Sequence, residues 1–74
     1  MFTLNDLLDQ VECQGKVVVC MNKGNGYIVE VFRGSDLRQI PYYIGCKELA
    51  YIHTDYDESY DGIKEIYTVY EVNE

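Results

Sequence analysis

The hydrophobic and polar positions near the start of this chain repeat with the period of a helix. Four apolar residues follow the i, i+3, i+4, i+7 spacing of one helix stripe: Leu4, Leu7, Leu8 and Val11. Thr3 is placed to cap this helix, and Asp6 occupies the reciprocal capping-box position three residues later. Gly15 is a natural stop, so we predict a helix from Leu4 to Glu12.

The pattern then changes to that of β-strands. Lys16 to Met21 and Tyr27 to Arg33 read as strands, and the glycine- and asparagine-rich segment between them predicts an antiparallel hairpin. Both strands carry apolar residues on both faces, whereas a sheet covered on one side alternates more cleanly. One short helix cannot cover both faces, so we expect a homodimer or higher oligomer formed through the sheet.

The remainder of the chain adds two further strands. The segments predicted there are, in order, a turn capped by Ser35, a second turn after Pro41, a strand over Cys46–Thr54, a polar link over Asp55–Gly62 and a strand over Ile63–Val72. The whole is an α+β fold of the order α-β-β-turn-β-β, in which the N-terminal helix packs on a four-stranded, mainly antiparallel β-sheet. Residues 1–74 contain no repeat or linker and form a single domain.

Charge is concentrated at one end of the chain. Residues 51–74 hold seven acidic residues, one lysine and five tyrosines, which is a net charge of −6 out of −7 for the whole chain. Such a surface repels nucleic-acid phosphates and attracts basic partners. The six basic residues are scattered and form no aromatic-flanked stripe, so we expect no direct nucleic-acid binding.

The cysteines indicate a reducing compartment. Cys13, Cys20 and Cys46 are odd in number, which excludes a complete internal disulfide framework, and we interpret them as small core hydrophobes. They lack the C-x-x-C spacing of a metal site, and only their convergence on His53 would offer one. We predict no metal and no cofactor. No apolar run has the length of a signal core or a membrane span, so we expect a cytoplasmic protein that does not contact the membrane.

No catalytic motif is present. His53 is the only histidine, and no serine or cysteine stands beside it in a nucleophile context. Asp55 and Asp57 resemble the start of a calcium loop, but Ile66 stands where the bidentate glutamate belongs. We therefore predict a protein that is not an enzyme.

Several segments occur in an order shared with other proteins. They are Thr3-Leu4-Asn5-Asp6-Leu7-Leu8, Lys16-Val17-Val18-Val19, Gly34 through Ile40-Pro41, Leu49 through Ile52, and Ile66 through Val72. This order resembles a loose group of very short, uncharacterised proteins of Firmicutes phages and mobile elements. The resemblance implies a mobile-element protein in a bacterial cytoplasm and transfers no functional residues. The link from Tyr56 to Asp61 is longer than the turn of that group, which makes it a candidate functional addition.

Three classes of function remain open, and we favour a protein-binding module. In it, acidic residues with interleaved tyrosines imitate phosphate charge and inhibit a bacterial defence nuclease, of the anti-CRISPR or anti-restriction type. The partner is a basic host protein such as a nucleic-acid-binding enzyme. The binding residues predicted are Asp55, Tyr56, Asp57, Glu58, Tyr60 and Asp61. The alternative is an oligomeric phage protein that sequesters a small signalling ligand such as a nucleotide, with Arg33 and Arg38 lining its site. The third class is an enzyme, which lacks any catalytic constellation here.

Overall fold

A computed structural model describes residues 1–10, 15–58, 62 and 64–74 of the chain. The elements are α1 (Leu4–Leu8), β1 (Lys16–Asn22), β2 (Ile28–Gly34), a 3-10 turn (Leu37–Gln39), α2 (Tyr42–Gly45), β3 (Leu49–Glu58) and β4 (Lys64–Asn73). They form one four-stranded sheet in the order β2-β1-β4-β3, with β1 and β4 parallel and the other two pairs antiparallel. The predicted α+β class, with its mainly antiparallel sheet, is confirmed.

Helix α1 begins as predicted and ends earlier. The Thr3 hydroxyl accepts a hydrogen bond from the Asp6 amide at 3.2 Å, and the Asp6 carboxylate accepts one from the Thr3 amide at 2.9 Å, which completes the capping box. The helix ends at Leu8, where the prediction extended it to Glu12. Its last turn tightens, because the Gln10 amide donates to the carbonyl of Leu7, three residues back.

The main core lies between the two helices and one face of the sheet. Its fully or nearly buried members are Leu4, Val17, Val19, Met21, Ile44, Tyr70 and Val72. The opposite face, which we call the open face, carries a smaller cluster of Val18, Tyr67 and Val69. β1 lies between two strands, and Val18 is only 2% exposed although neither α1 nor α2 contributes to its cluster. The interior position of β1 thus explains why its sequence is apolar on both faces.

A β-bulge in β2 determines which side chains share the open face. Val19 pairs with Phe32 while Cys20 pairs with Glu30, which leaves Val31 as an extra residue. Val31 and Phe32 therefore both pack on the main core. Beyond the bulge, Arg33 lies on the same face as Glu30, although residues three apart in a regular strand point to opposite faces.

Strand β3 differs from its predicted bounds at both ends. Cys46 caps the end of α2 instead of starting the strand, and residues 55–58 continue the strand where a polar link was predicted. Charged residues are tolerated there because β3 is an edge strand and Asp55 and Asp57 are exposed. The 3-10 turn is capped by the Asp36 side chain and not by Ser35.

The contact between α1 and α2 gives a test of the packing. Gly45 is buried, and a Cβ added there would overlap the side-chain amide of Asn5. We expect Gly45→Ala to lower the free energy of unfolding by about 1–3 kcal/mol through overpacking. Urea denaturation measures this change.

The matched control is Asn5→Ala combined with Gly45→Ala. Removal of the amide leaves room for the new methyl group, so the double variant should be more stable than the sum of the two single changes predicts. Additive effects would mean that the two residues do not touch.

Candidate functional site

The predicted binding residues lie at the end of the β3–β4 hairpin. Asp55, Tyr56, Asp57 and Glu58 are the last four residues of β3. β1 pairs with β4 only from Tyr67 onwards, so residues 56–58 and 64–66 extend beyond β1. We call these six residues the arm. Tyr60 and Asp61, which were also predicted to bind, lie outside the described residues.

The arm has one apolar side and one acidic side. Tyr56 pairs with Ile66, and alternation along β4 places this pair on the side of the main core. Their exposed fractions are 50% and 66%, because the helices do not reach them. Asp57 pairs with Glu65 on the opposite side, which continues the open face. The arm therefore offers apolar area and negative charge on opposite surfaces.

Arg33 is the central cation of the open face. Its Nη2 donates to the Glu30 carboxylate at 2.7 Å, and its Nη1 lies 3.7 Å from the carboxylate of Asp57. The guanidinium also lies over the Tyr67 ring, 5.2 Å from the centroid. The hydrogen bond with Arg33 holds the pKa of Glu30 below its usual value and raises that of the guanidinium. Arg33 is thus already engaged by the chain itself.

An open groove of about 190 Å³ runs across the open face. Val18, Cys20 and Val69 contribute apolar atoms to it, and three carboxylates line it, those of Glu30, Asp55 and Glu71. This volume is below the roughly 300–1,000 Å³ of most small-molecule pockets. The groove is therefore of a size for one side chain and has a negative lining.

Glu71 and His53 meet on the wall of this groove. The Glu71 side chain is only 16% exposed, and its Oε2 lies 3.8 Å from Nδ1 of His53. The Tyr51 ring packs edge-on against the imidazole, with 5.4 Å between centroids. The lone histidine is therefore held by an aromatic ring and a carboxylate, and no serine or cysteine is hydrogen-bonded to it among the described residues.

Burial and nearby carboxylates on the open face disfavour ionisation of two side chains, Tyr67 and Cys20. Burial, followed by the negative charges of Asp55 and Asp57, raises the pKa of the Tyr67 hydroxyl. Burial, together with Glu30 and Glu71, raises the pKa of the Cys20 thiol. A thiol with a raised pKa is a poor nucleophile at neutral pH, so Cys20 is unsuited to covalent chemistry.

The cysteines are dispersed. Cys20 is half-buried on the open face, while Cys46 is exposed, so the prediction of a core position is wrong for Cys46. Cys13 lies outside the described residues. Across residues 1–10, 15–58, 62 and 64–74, no group of three or more His, Cys, Asp or Glu residues is arranged to hold a metal ion. Within the same ranges, no helix is long and apolar enough to cross a membrane.

The comparisons with known proteins add no relative. No family model, curated protein or solved structure matches this chain. Function must therefore be argued from the site itself.

The groove was not predicted from the sequence. Glu30 and Arg33 come together only because of the bulge, and Glu71 meets them only because β4 pairs in parallel with β1. The sequence does carry one signal, since alternation along the predicted strand Ile63–Val72 puts Glu65, Tyr67, Val69 and Glu71 on one face, and the register agrees with this.

The raised pKa of Tyr67 gives a prediction about high pH. The folded chain favours the neutral phenol, so this stabilisation is complete below the pKa of the unfolded chain and is lost as the pH rises through the folded value. We expect Tyr67 to ionise at a higher pH in the folded chain than in urea, measured from its ring carbon shifts by NMR. Asp55→Asn with Asp57→Asn, the double neutral variant, should reduce the difference. Ionisation at the same pH in both states would contradict the prediction.

Proposed function

We propose that this protein is a non-catalytic binding module that attaches stoichiometrically to a basic surface of another protein through its arm. The observation that carries the proposal is the division of the arm into an exposed apolar side and an acidic side. Because the arm extends beyond β1, it can insert into a concave surface of a partner protein and contact that surface with both of its sides. Both of its sides then lose contact with water in the complex.

The two sides of the arm contribute in different ways. Burial of Tyr56, Ile66 and the neighbouring Ile52 supplies apolar contact area, and tyrosine is favoured at interface hot spots. Asp57 and Glu65 in the arm, together with the adjacent Asp55, select lysine and arginine on the partner and accelerate the encounter. The apolar side therefore sets the dissociation rate, and the acidic side sets the association rate.

The partner class that we propose is a bacterial defence nuclease, which the protein would inhibit. Enzymes that bind nucleic acid carry a basic channel, and an acidic arm with tyrosines can occupy such a channel in place of phosphates and bases. The net charge of −6 over residues 51–74 supports this class of partner. The resemblance to short phage proteins favours the same assignment.

The charge of the groove argues against sequestration of a nucleotide. Three carboxylates line it, and Arg33 is already bonded to Glu30. Arg38, the other arginine considered for such a site, is bonded to Asp36 in the 3-10 turn. An anionic ligand would therefore meet repulsion and find no uncommitted arginine at the groove. A non-enzymatic role is further supported by the weak nucleophilicity expected of Cys20.

Self-association is the second part of the proposal. β2 and β3 are both edge strands of the sheet, and exposed apolar residues lie along β3 and the arm. We expect a dimer or higher oligomer, measured by light scattering at micromolar concentration. A mass of 8.6 kDa, that of one chain, would contradict it.

The arm proposal is tested by capture and kinetics. Wild-type protein is immobilised, its partner is captured from a bacterial lysate and identified by mass spectrometry, and the purified partner is then used for rate measurements. The double neutral variant should associate at least about tenfold more slowly at low salt, because it removes steering charge. Ile66→Ser should mainly raise the dissociation rate.

The matched control removes the same charge elsewhere. Asp9→Asn with Glu74→Gln also removes two negative charges, at exposed positions outside the arm. This control variant should leave the association and dissociation rates nearly unchanged. Its small effect should disappear at a lower salt concentration than the effect of the double neutral variant. If both double variants slow association equally, the arm contributes to association only through the net charge of the protein. A captured nuclease that still cleaves at full rate with excess protein would rule out inhibition.

A further inference from the structure

We propose that the groove on the open face receives one lysine or arginine side chain of the partner protein, with Glu71 as its ion-pair partner. The inference rests on the proposed function and specifies which chemical group the partner must present. Its central residue, Glu71, lies outside the arm and was not predicted to bind.

The distribution of charge on the open face leaves Glu71 without a permanent cation. Among the side chains that the structure describes, the two permanent cations of this face are Lys16 and Arg33. Lys16 is bound to Glu65 at 2.6 Å, and Arg33 is bound to Glu30 at 2.7 Å. Of the basic groups that the structure describes, the one within 4 Å of the Glu71 carboxylate is the imidazole of His53, at 3.8 Å. A further cation is the group that this carboxylate would bind most favourably.

The apolar atoms of the groove suit the stem of such a side chain. Val18 and Val69 are buried in the sheet, and Cys20 adds a weakly polar sulfur beside them. Lysine and arginine bury their methylene stems along apolar surface while the charged end reaches a polar partner. Glu71 is mostly shielded from water, so its attraction for a cation is stronger than that of an exposed carboxylate.

The charge of the face decides between the occupants. Three carboxylates, those of Glu30, Asp55 and Glu71, and one arginine line the groove. A second copy of this chain that presented the same face would add like charge, and a nucleic acid or an anionic membrane would bring phosphates. A basic side chain from a different protein is complementary in both charge and shape.

The test uses blocked amino acids as probes of the whole protein. Nα-acetyl-lysine amide and Nα-acetyl-arginine amide are titrated into ¹⁵N-labelled protein, with Nα-acetyl-norleucine amide as the uncharged match of the lysine stem. We expect saturable shifts of the amides of Val18, Cys20, Val69 and Glu71 with the two cations and none with norleucine. Comparable shifts with norleucine would overturn the proposal, and this comparison needs only wild-type protein.

A pair of isosteric variants separates a specific contact from general attraction. Glu71→Gln and Glu74→Gln remove the same charge three residues apart, but the exposed Glu74 lies neither in the groove nor in the arm. We expect Glu71→Gln to weaken probe binding roughly tenfold, as for the loss of one charge-assisted contact, and Glu74→Gln to leave it unchanged. Equal weakening by both variants would show diffuse attraction and refute the site.

Asp57→Asn distinguishes this inference from the arm proposal, because Asp57 lies in the arm and does not line the groove. If Asp57→Asn loses the partner while Glu71→Gln binds it normally, the groove assignment is wrong and the arm proposal stands. If Glu71→Gln loses both probe and partner while Asp57→Asn keeps its partner, the groove assignment stands and the arm proposal fails. Each result is read on the captured partner and on the probe separately.

Discussion

The burial of β1 between β2 and β4 is the constraint on which the rest of this structure depends. Val17, Val18 and Val19 are consecutive in the chain and all nearly fully buried, one pair facing the helices and the middle residue facing the open side. A strand can bury both faces without a second layer only when it has neighbours on both edges. The parallel pairing of β4 with β1 provides the second neighbour, and it moves β3 to the edge of the sheet. The acidic residues Asp55 and Asp57 of β3 are exposed as a result.

Local signals predicted the elements well, and pairing between distant segments limited the rest. The capping box of Thr3 and Asp6, the β1–β2 hairpin and the start of β4 each depend on residues close in sequence, and each lies within one residue of its prediction. The end of β3 could not be predicted in the same way. Asp55 and Asp57 were predicted to form a link because charged residues are rare in strands. Only their pairing with β4 shows that they belong to strand β3.

Two β-bulges, the one in β2 and a second in β3 between Leu49 and Tyr51, show why the candidate site was partly hidden in the sequence. Alternation with period two would place Glu30 and Arg33 on opposite faces, and Leu49 and Tyr51 on the same face. One extra residue in each strand reverses both relations, so Arg33 joins Glu30 on the open face while Leu49 packs on the main core. A one-residue irregularity leaves no compositional trace, yet it determines which charges meet. The arm residues were selected as binding candidates because the charge and tyrosine content of a segment can be read from the sequence without knowledge of the strand register.

The lengths of the elements explain why the apolar side of the arm stays exposed. Five helical residues span about 7.5 Å at a rise of roughly 1.5 Å each, whereas the ten residues of β4 span about 33 Å. Helix α1 is therefore too short to cover the whole hairpin, and Ile66, which is 66% exposed, adds little buried apolar area to the isolated chain. An exposed apolar edge would normally invite indiscriminate strand pairing. Asp57 and Glu65, on the open side of the same two strands, repel acidic segments that approach that side and admit basic partners there. The same charges thus keep the arm soluble and make its apolar side selective.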